Sequence, residues 1–346
     1  MKHDPDTHQT QHSTSHDRPS GQPRLHVVVG AGAVGTGVAL RLADAGHDVR
    51  IVTRSGSGPE HERIERIATD ASDAASLRTV AAGAHAIFNC ANPSYSTWPT
   101  AWPPIQAALI AVAESTGARL VTMGNLYAYG RGTSPMNATD PLDPPSRKGT
   151  IRAAMWADAI EAHDAGRIRT TEVRASDFFG PGIGEAAHLG DRFVPRLLAA
   201  KSASIIGRPD QPHSWSYIGD VCDALVLLGN DDRSLGRAWH VPTVPPATVA
   251  EMADAISDAA GVERQSVRQI PGIALRLAGV FSADLRELRE IQYQHVHPFV
   301  MGAAETTDVF GLEATPLDEQ IAATIASYRE PQSAGTTSSS VSARTG

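Results

Sequence analysis

The chain has 346 residues, 41% of them hydrophobic, and a formal charge of −8. That length suits one large α/β domain with a smaller lobe, or two domains, and supports a sizeable core. The acidic balance shows no basic stripe, which argues against nucleic acid as a partner, and no apolar run reaches membrane-spanning length. Cys90 and Cys222 are too few for a disulfide framework or a Cys-based zinc site, which fits a reducing cytoplasm.

Residues 1–22 are rich in His, Ser, Thr, Asp and Pro, and 331–346 in Ser, Thr and Gly, with too little apolar content to pack. Both read as disordered tails, and Met1 to Ser20 is neither a signal peptide nor an anchor. His3, His8, His12 and His16 recur every four or five residues, a spacing read as incidental, so no metal centre is expected.

The first strand is the apolar run Leu25 to Val29. Gly30-Ala31-Gly32-Ala33-Val34-Gly35 follows and opens a helix. A G-x-G-x-x-G between a buried strand and a helix is the dinucleotide-binding fingerprint. Gly30 permits the tight turn, Gly32 lets backbone approach a pyrophosphate, and Gly35 lets helix pack on strand. Free N–H groups at Ala33 and Val34 and the positive end of the helix dipole complete the phosphate site.

A second strand spans Asp48 to Thr53, a third Ile64 to Thr69, and a short helix Ser76 to Ala82. His85 to Cys90 reads as the fourth strand, Ile105 to Gly117 as an amphipathic helix, and Arg119 to Met123 as the fifth strand. Residues 148–166 form another long helix and Ile168 to Ala175 another strand. This alternation predicts a Rossmann-type, doubly wound parallel sheet. After about residue 180 Pro/Gly-rich loops break the pattern. The expected division is a dinucleotide-binding domain over 23–180 and a substrate-binding lobe over 181–330, interleaved with the last core strands. No internal repeat is present.

The second strand ends in Thr53-Arg54-Ser55. An acidic residue there would accept hydrogen bonds from the ribose of NAD, whereas Arg54 suits a 2′-phosphate through its planar fork. The expected cofactor is therefore NADP, with NAD as the alternative.

In this order the pieces resemble the extended short-chain dehydrogenase/reductase superfamily, in its NAD-dependent epimerase/dehydratase branch, over residues 24–329. The resemblance rests on the glycine turn, Asp70, Asn89-Cys90-Ala91, Tyr129-Gly130, the run Arg174 to Gly182 and the run Trp215 to Val221. Phe310-Gly311-Leu312 and Thr315-Pro316-Leu317 look like the closing segment. It implies Asp70 at the adenine, and Cys90, Ala91 and Asn92 beside the nicotinamide. By analogy it implies a homodimer through helices at 99–117 and 148–166.

The family's chemistry uses a Ser or Thr after the fifth strand and a Tyr-x-x-x-Lys on the next helix, whose spacing places both residues on one face. Here Lys148 falls at the tyrosine position, Arg152 at the lysine position and Asn125 at the serine position. Three readings follow. Lys148 replaces tyrosine as proton carrier, with Arg152 and burial lowering its pKa. Alternatively a loop tyrosine serves, Tyr127 ahead of Tyr95 or Tyr129, with Asn125 polarising the substrate oxygen. In the third, the site binds nucleotide without redox chemistry, as a sensor.

Relatives acting on nucleotide sugars carry an arginine five residues before the position of Ile218, and this chain has His213. Imidazole is a poor replacement for a permanent fork of donors. Tyr95, Phe179 and Trp215, with Trp98 and Trp102, suggest a moderately apolar or ring-shaped substrate. The leading expectation is an NADP-dependent oxidoreductase acting on a small carbonyl or alcohol. A nucleotide-retaining epimerase or dehydratase is the enzymic alternative.

Overall fold

Val27 and Val28 are both fully buried, one on each face of a central strand, and that two-sided burial sets the architecture. The computed structural model describes residues 22–271, 287 and 289–329. The residues read as terminal tails lie outside these, apart from residue 22. Strands β1 (Leu25–Val29), β2 (Asp48–Thr53), β3 (Ile64–Ala68), β4 (Ala86–Asn89), β5 (Arg119–Asn125) and β6 (Arg169–Ala175) follow the expected order. With a later strand, β10 (Ala238–His240), they form a seven-stranded sheet in the order β10-β6-β5-β4-β1-β2-β3. All its pairings are parallel. This is the α/β, Rossmann-type fold that the alternation predicts.

Helices cover both faces, as a parallel sheet requires. On one side α1 (Ala33–Asp44) and α6 (Ile218–Asn230) bury Val38, Leu42, Leu225 and Leu228 against Val28, Phe88 and Val121. On the other, α2 (Ala74–Val80), α3 (Trp98–Thr116) and α4 (Arg147–Asp164) flank Val27, Val29, Ile87 and Leu120. The order in which strands are added reverses between β1 and β4, so a crevice opens at the carboxyl ends of these strands.

Helix α3 begins seven residues before the expected Ile105 and runs through Pro103 and Pro104. The prolines remove two backbone donors. Trp98 and Trp102, one turn apart and almost fully buried, hold the extra turns in place.

After β6 the chain builds β7 (Asp177–Phe179), α5 (Val194–Leu198), β8 (Ala203–Ile205) and β9 (Trp215–Tyr217). After β10 come α7 (Val249–Ala260), β11 (Val267–Gln269), α8 (Ala304–Phe310) and α9 (Leu317–Arg329). β7 pairs with β9 and β8 with β11, in two small parallel sheets. A separate core of Phe179, Phe193, Trp215, Met252, Ile256 and Ile321 supports them. Asp220 on α6 ties this region to the closing segment, accepting from Thr315 N at 3.0 Å and Thr315 Oγ1 at 2.5 Å. No described helix is long and apolar enough to cross a membrane.

His26 on β1 is fully buried, and neither ring nitrogen has a protein hydrogen-bond partner. Burial, then the neighbouring His47, His85, Arg24 and Arg119, lowers its pKa from 6.5 to about 3. The unfolded chain therefore binds more protons across that window, and stability falls as pH drops through it. Through this residue alone the protein loses about 2 kcal/mol between pH 7 and pH 5. His26→Leu should shrink that loss in denaturation midpoints taken at the two pH values; an unchanged loss refutes the account.

Candidate active site

The crevice at the strand ends has a cavity volume of about 230 Å³ and opens to solvent. Its lining residues form three walls. The first is the glycine turn. Gly30 has φ +99°, and a Cβ there would stand 2.7 Å from Cys90 O. A Cβ at Gly35 would stand 1.9 Å from Gly30 O, so only glycine allows α1 to approach β1 this closely. A Cβ at Gly32 would meet nothing within 4 Å, and Gly32, Ala33 and Val34 line the cleft. Gly32 caps α1 without a side chain, so the first-turn N–H groups and the helix dipole face open space. That geometry fits a pyrophosphate.

Arg54 is exposed just beyond β2, and Asp70 just beyond β3. Asp70 Oδ1 accepts from Ser72 N at 2.9 Å and Ser72 Oγ at 2.7 Å. Those bonds, helped by Arg54, lower the Asp70 pKa and keep it anionic.

The second wall joins the end of β4 (Cys90, Ala91, Asn92), the end of β5 (Met123 to Tyr127), Tyr95, Trp98 and Arg152. Tyr95 and Tyr127 share a hydroxyl–hydroxyl hydrogen bond of 2.7 Å. Asn125 turns its side chain back to accept from Tyr127 N at 3.1 Å. Burial raises the Tyr127 pKa well above 10 and also raises that of Tyr95. The Arg152 guanidinium lies 4.8 Å from the Trp98 ring and 4.5 Å from the Trp102 ring, and donates to Met123 O at 3.3 Å. Burial works against its charge, while Glu172 and the two tyrosines favour it. Cys90, also on the wall, is kept a thiol by burial.

Lys148 lies behind this wall. Its side chain is 2% exposed, and its Nζ stands 5.4 Å from the Tyr95 ring. Nζ donates to Glu287 Oε2, to Glu290 Oε2 at 2.8 Å and to Glu287 O at 3.4 Å, which engages all three ammonium protons. Glu290 also accepts from Lys148 N at 3.0 Å. The ammonium is thus an ion-pair centre outside the cleft lining, with Tyr95 between it and the cleft. Tyr129 is likewise engaged elsewhere: its hydroxyl meets Arg174 at 2.6 Å and His240 at 2.7 Å.

The third wall comes from Ser176, Asp177, Phe178, Gln294 and Phe299. Asp177 Oδ2 lies 3.1 Å from His213 Nε2 and 3.7 Å from His295 Nε2. Burial opposes the Asp177 charge, but His213, His295 and His188 outweigh it and hold the carboxyl well below its ordinary range. Burial lowers His188 to about 4 and drives His295 well below 6.5, so these two imidazoles are neutral at pH 7. His213 sits one step behind Asp177. Phe179 and Trp215 belong to the core beneath it, Trp215 donating to Ala247 O at 2.9 Å.

The structure thus brings Gly32, Ala33, Val34, Cys90, Ala91, Asn92, Tyr95, Asn125, Tyr127 and Arg152 into one cleft. It leaves Lys148, His213, Phe179 and Trp215 off the cleft wall. Asp177, His188, Gln294 and His295 were not anticipated as site residues. Asp177 stands inside the run Arg174 to Gly182, where its neighbours gave a signal; the residues around His295 carry no periodicity that would place it here.

The sequence pattern of the NAD dependent epimerase/dehydratase family matches residues 26–241. No curated protein sequence matches the chain. Among solved structures, an epimerase from Methanothermobacter thermautotrophicus is similar with a TM-score of 0.74 and 18% identity, covering 88% of this chain and 92% of that one. UDP-glucose 4-epimerase from Thermotoga maritima, solved with UDP-glucose, gives 0.73 and 16% over 88% and 98%. dTDP-glucose 4,6-dehydratase from Bacillus anthracis, in complex with NAD, gives 0.73 and 16% over 88% and 96%. These likenesses establish the extended short-chain dehydrogenase/reductase fold. With the family pattern spanning most of the sheet and the cleft, the chain belongs to the NAD-dependent epimerase/dehydratase family of enzymes.

Proposed function

We propose that this protein is an NADP-dependent oxidoreductase that reduces a small carbonyl substrate, with Tyr127 as the proton donor. The observation that carries this reading is the Tyr95–Tyr127 hydroxyl pair on the cleft wall. A nicotinamide cofactor supplies the hydride when bound. Gly30, Gly32, Ala33, Val34 and Gly35 would hold its pyrophosphate, Asp70 its adenosine, and Cys90, Ala91 and Asn92 the nicotinamide side.

A phenol whose pKa lies above 10 is a poor base at pH 7 but an adequate acid toward a developing alkoxide, which favours reduction. Tyr95 donates to the phenolate left behind, and the Arg152 charge stabilises it. Arg152 itself stays protonated and moves no proton. Asn125 offers its amide N–H group to the substrate oxygen while its carbonyl holds Tyr127 N. His213 stands where relatives acting on nucleotide sugars carry an arginine, which supports a substrate smaller than a nucleotide sugar.

Arg54 supports the NADP preference. Losing a charge-assisted contact to the 2′-phosphate costs about 1.5–3 kcal/mol, or roughly 10- to 100-fold in affinity. Fluorescence titrations should show Arg54→Ala weakening NADPH by that factor with NADH unchanged. Equal losses for both cofactors would remove the claim. The second reading, an epimerase or dehydratase cycle, draws on the family itself. Stoichiometric NADPH oxidation with a carbonyl substrate decides for reduction; turnover with cofactor retained and no net oxidation decides for the second reading.

A further inference from the structure

Asp177, His213 and His295 come from distant parts of the chain and meet behind the third wall, which Asp177 alone of the three lines. Asp177 begins β7, His213 lies two residues before β9, and His295 ends a short 3-10 turn at Gln292–His295. One donor atom from each lies within 4.8 Å of the others. Among the described residues no other group of three His, Cys, Asp or Glu side chains converges in this way. His213 Nε2 at 3.1 Å and His295 Nε2 at 3.7 Å both approach the same carboxylate oxygen, Asp177 Oδ2.

Neither contact is a well-formed hydrogen bond: Asp177 Oδ2 is buried without a hydrogen-bond partner, and 3.7 Å is beyond donor range. A shared ion explains both. Metal–ligand bonds of about 2.0–2.1 Å in a tetrahedral shell set a ligand–ligand edge of roughly 3.4 Å, and the two separations bracket it. Two imidazoles and one carboxylate form a nitrogen/oxygen donor set suited to zinc and its neighbours.

A second observation points the same way. His188 stacks 4.2 Å from His295, and its buried Nε2 has no protein hydrogen-bond partner. Three imidazoles, those of His188, His213 and His295, thus pack together beside one buried carboxylate. The rings of Trp215 and Phe299, 4.4 Å and 5.2 Å from His213, form apolar walls that hold its plane.

We infer that Asp177, His213 and His295 form a binding site for a divalent transition-metal ion of the zinc class, with its open position toward the cleft. Asp177 is the ligand that reaches the cleft wall, so the ion would take a substrate oxygen as its next ligand. The site is independent of the redox reading, because binding of the ion needs neither dinucleotide nor turnover.

The N-terminal histidines would compete in any metal titration. The test therefore uses the full chain with His3, His8, His12 and His16 replaced by Ala, titrated with Zn²⁺ by calorimetry and with Co²⁺ by visible absorption. One equivalent per chain is expected, with the intense absorption of four-coordinate Co²⁺. Asp177→Asn, nearly isosteric, and His295→Gln should each weaken the dissociation constant roughly 100-fold or more, at unchanged metal-free circular dichroism. No uptake by the parent chain overturns the site. Uptake undiminished in Asp177→Asn overturns it as well, and both results stand even if His295→Gln fails to fold.

Discussion

Tyr127→Phe is expected to lower turnover about 10²- to 10⁴-fold, the usual loss when a positioned proton donor is removed. The change deletes one hydroxyl and leaves the ring in its contacts with Trp98 and Met155. Tyr95 loses a partner at 2.7 Å, which costs about 1–2 kcal/mol of stability, and NADPH affinity stays near the wild-type value. The comparison that gives this result force is Lys148→Met. That substitution strands Glu287 and Glu290 without their shared cation. It should destabilise by roughly 2–3 kcal/mol, discounted from the fully buried case because both carboxylates are partly exposed. Turnover per folded molecule should then fall far less than in Tyr127→Phe. Full turnover in Tyr127→Phe together with its loss in Lys148→Met would move the proton chemistry to the lysine.

The second large effect is expected at the glycine turn, where two neighbouring positions should fail for different reasons. Gly35→Ala drives a methyl group to within 1.9 Å of Gly30 O, so strand and helix must separate. A loss of about 3 kcal/mol or more is expected, with dinucleotide binding abolished. At Gly32 an added methyl group meets nothing within 4 Å. Gly32→Ala should therefore keep its melting temperature yet bind NADPH at least roughly 10-fold more weakly, because the methyl group occupies the phosphate's space. If Gly32→Ala binds NADPH as the wild type does, the pyrophosphate does not lie there.

The sheet was legible because each βα unit carries its own local signals. The apolar runs at Leu25 to Val29 and Arg119 to Met123, and the capping glycine at Gly117, each lie within a few residues of what they define. The strands β7, β8, β9 and β11 are three residues long, too short for any alternation to show. Only their pairing across the lobe makes them strands. The same division runs through the cleft. The glycine turn, Asn125 and Tyr127 were placed at the cleft from the sequence because turn and strand-end chemistry is local. Lys148 was identified by its register on α4, but register cannot report that Glu287 and Glu290, about 140 positions along the chain, reach back to it. His295 was invisible for the same reason.

The Lys148 ion pair sits where relatives of this kind are expected to place a reactive tyrosine, and here it fastens one part of the molecule to another. It clamps the start of α4 to Glu287 and Glu290, and the chain later reaches the third wall at Gln294 and Phe299. Position 148 thereby anchors the segment that leads to the third wall. Selecting for new substrates should accordingly succeed at residues 291–299, whose frame this clamp holds steady, and fail at position 148, where any neutral residue lets the frame go.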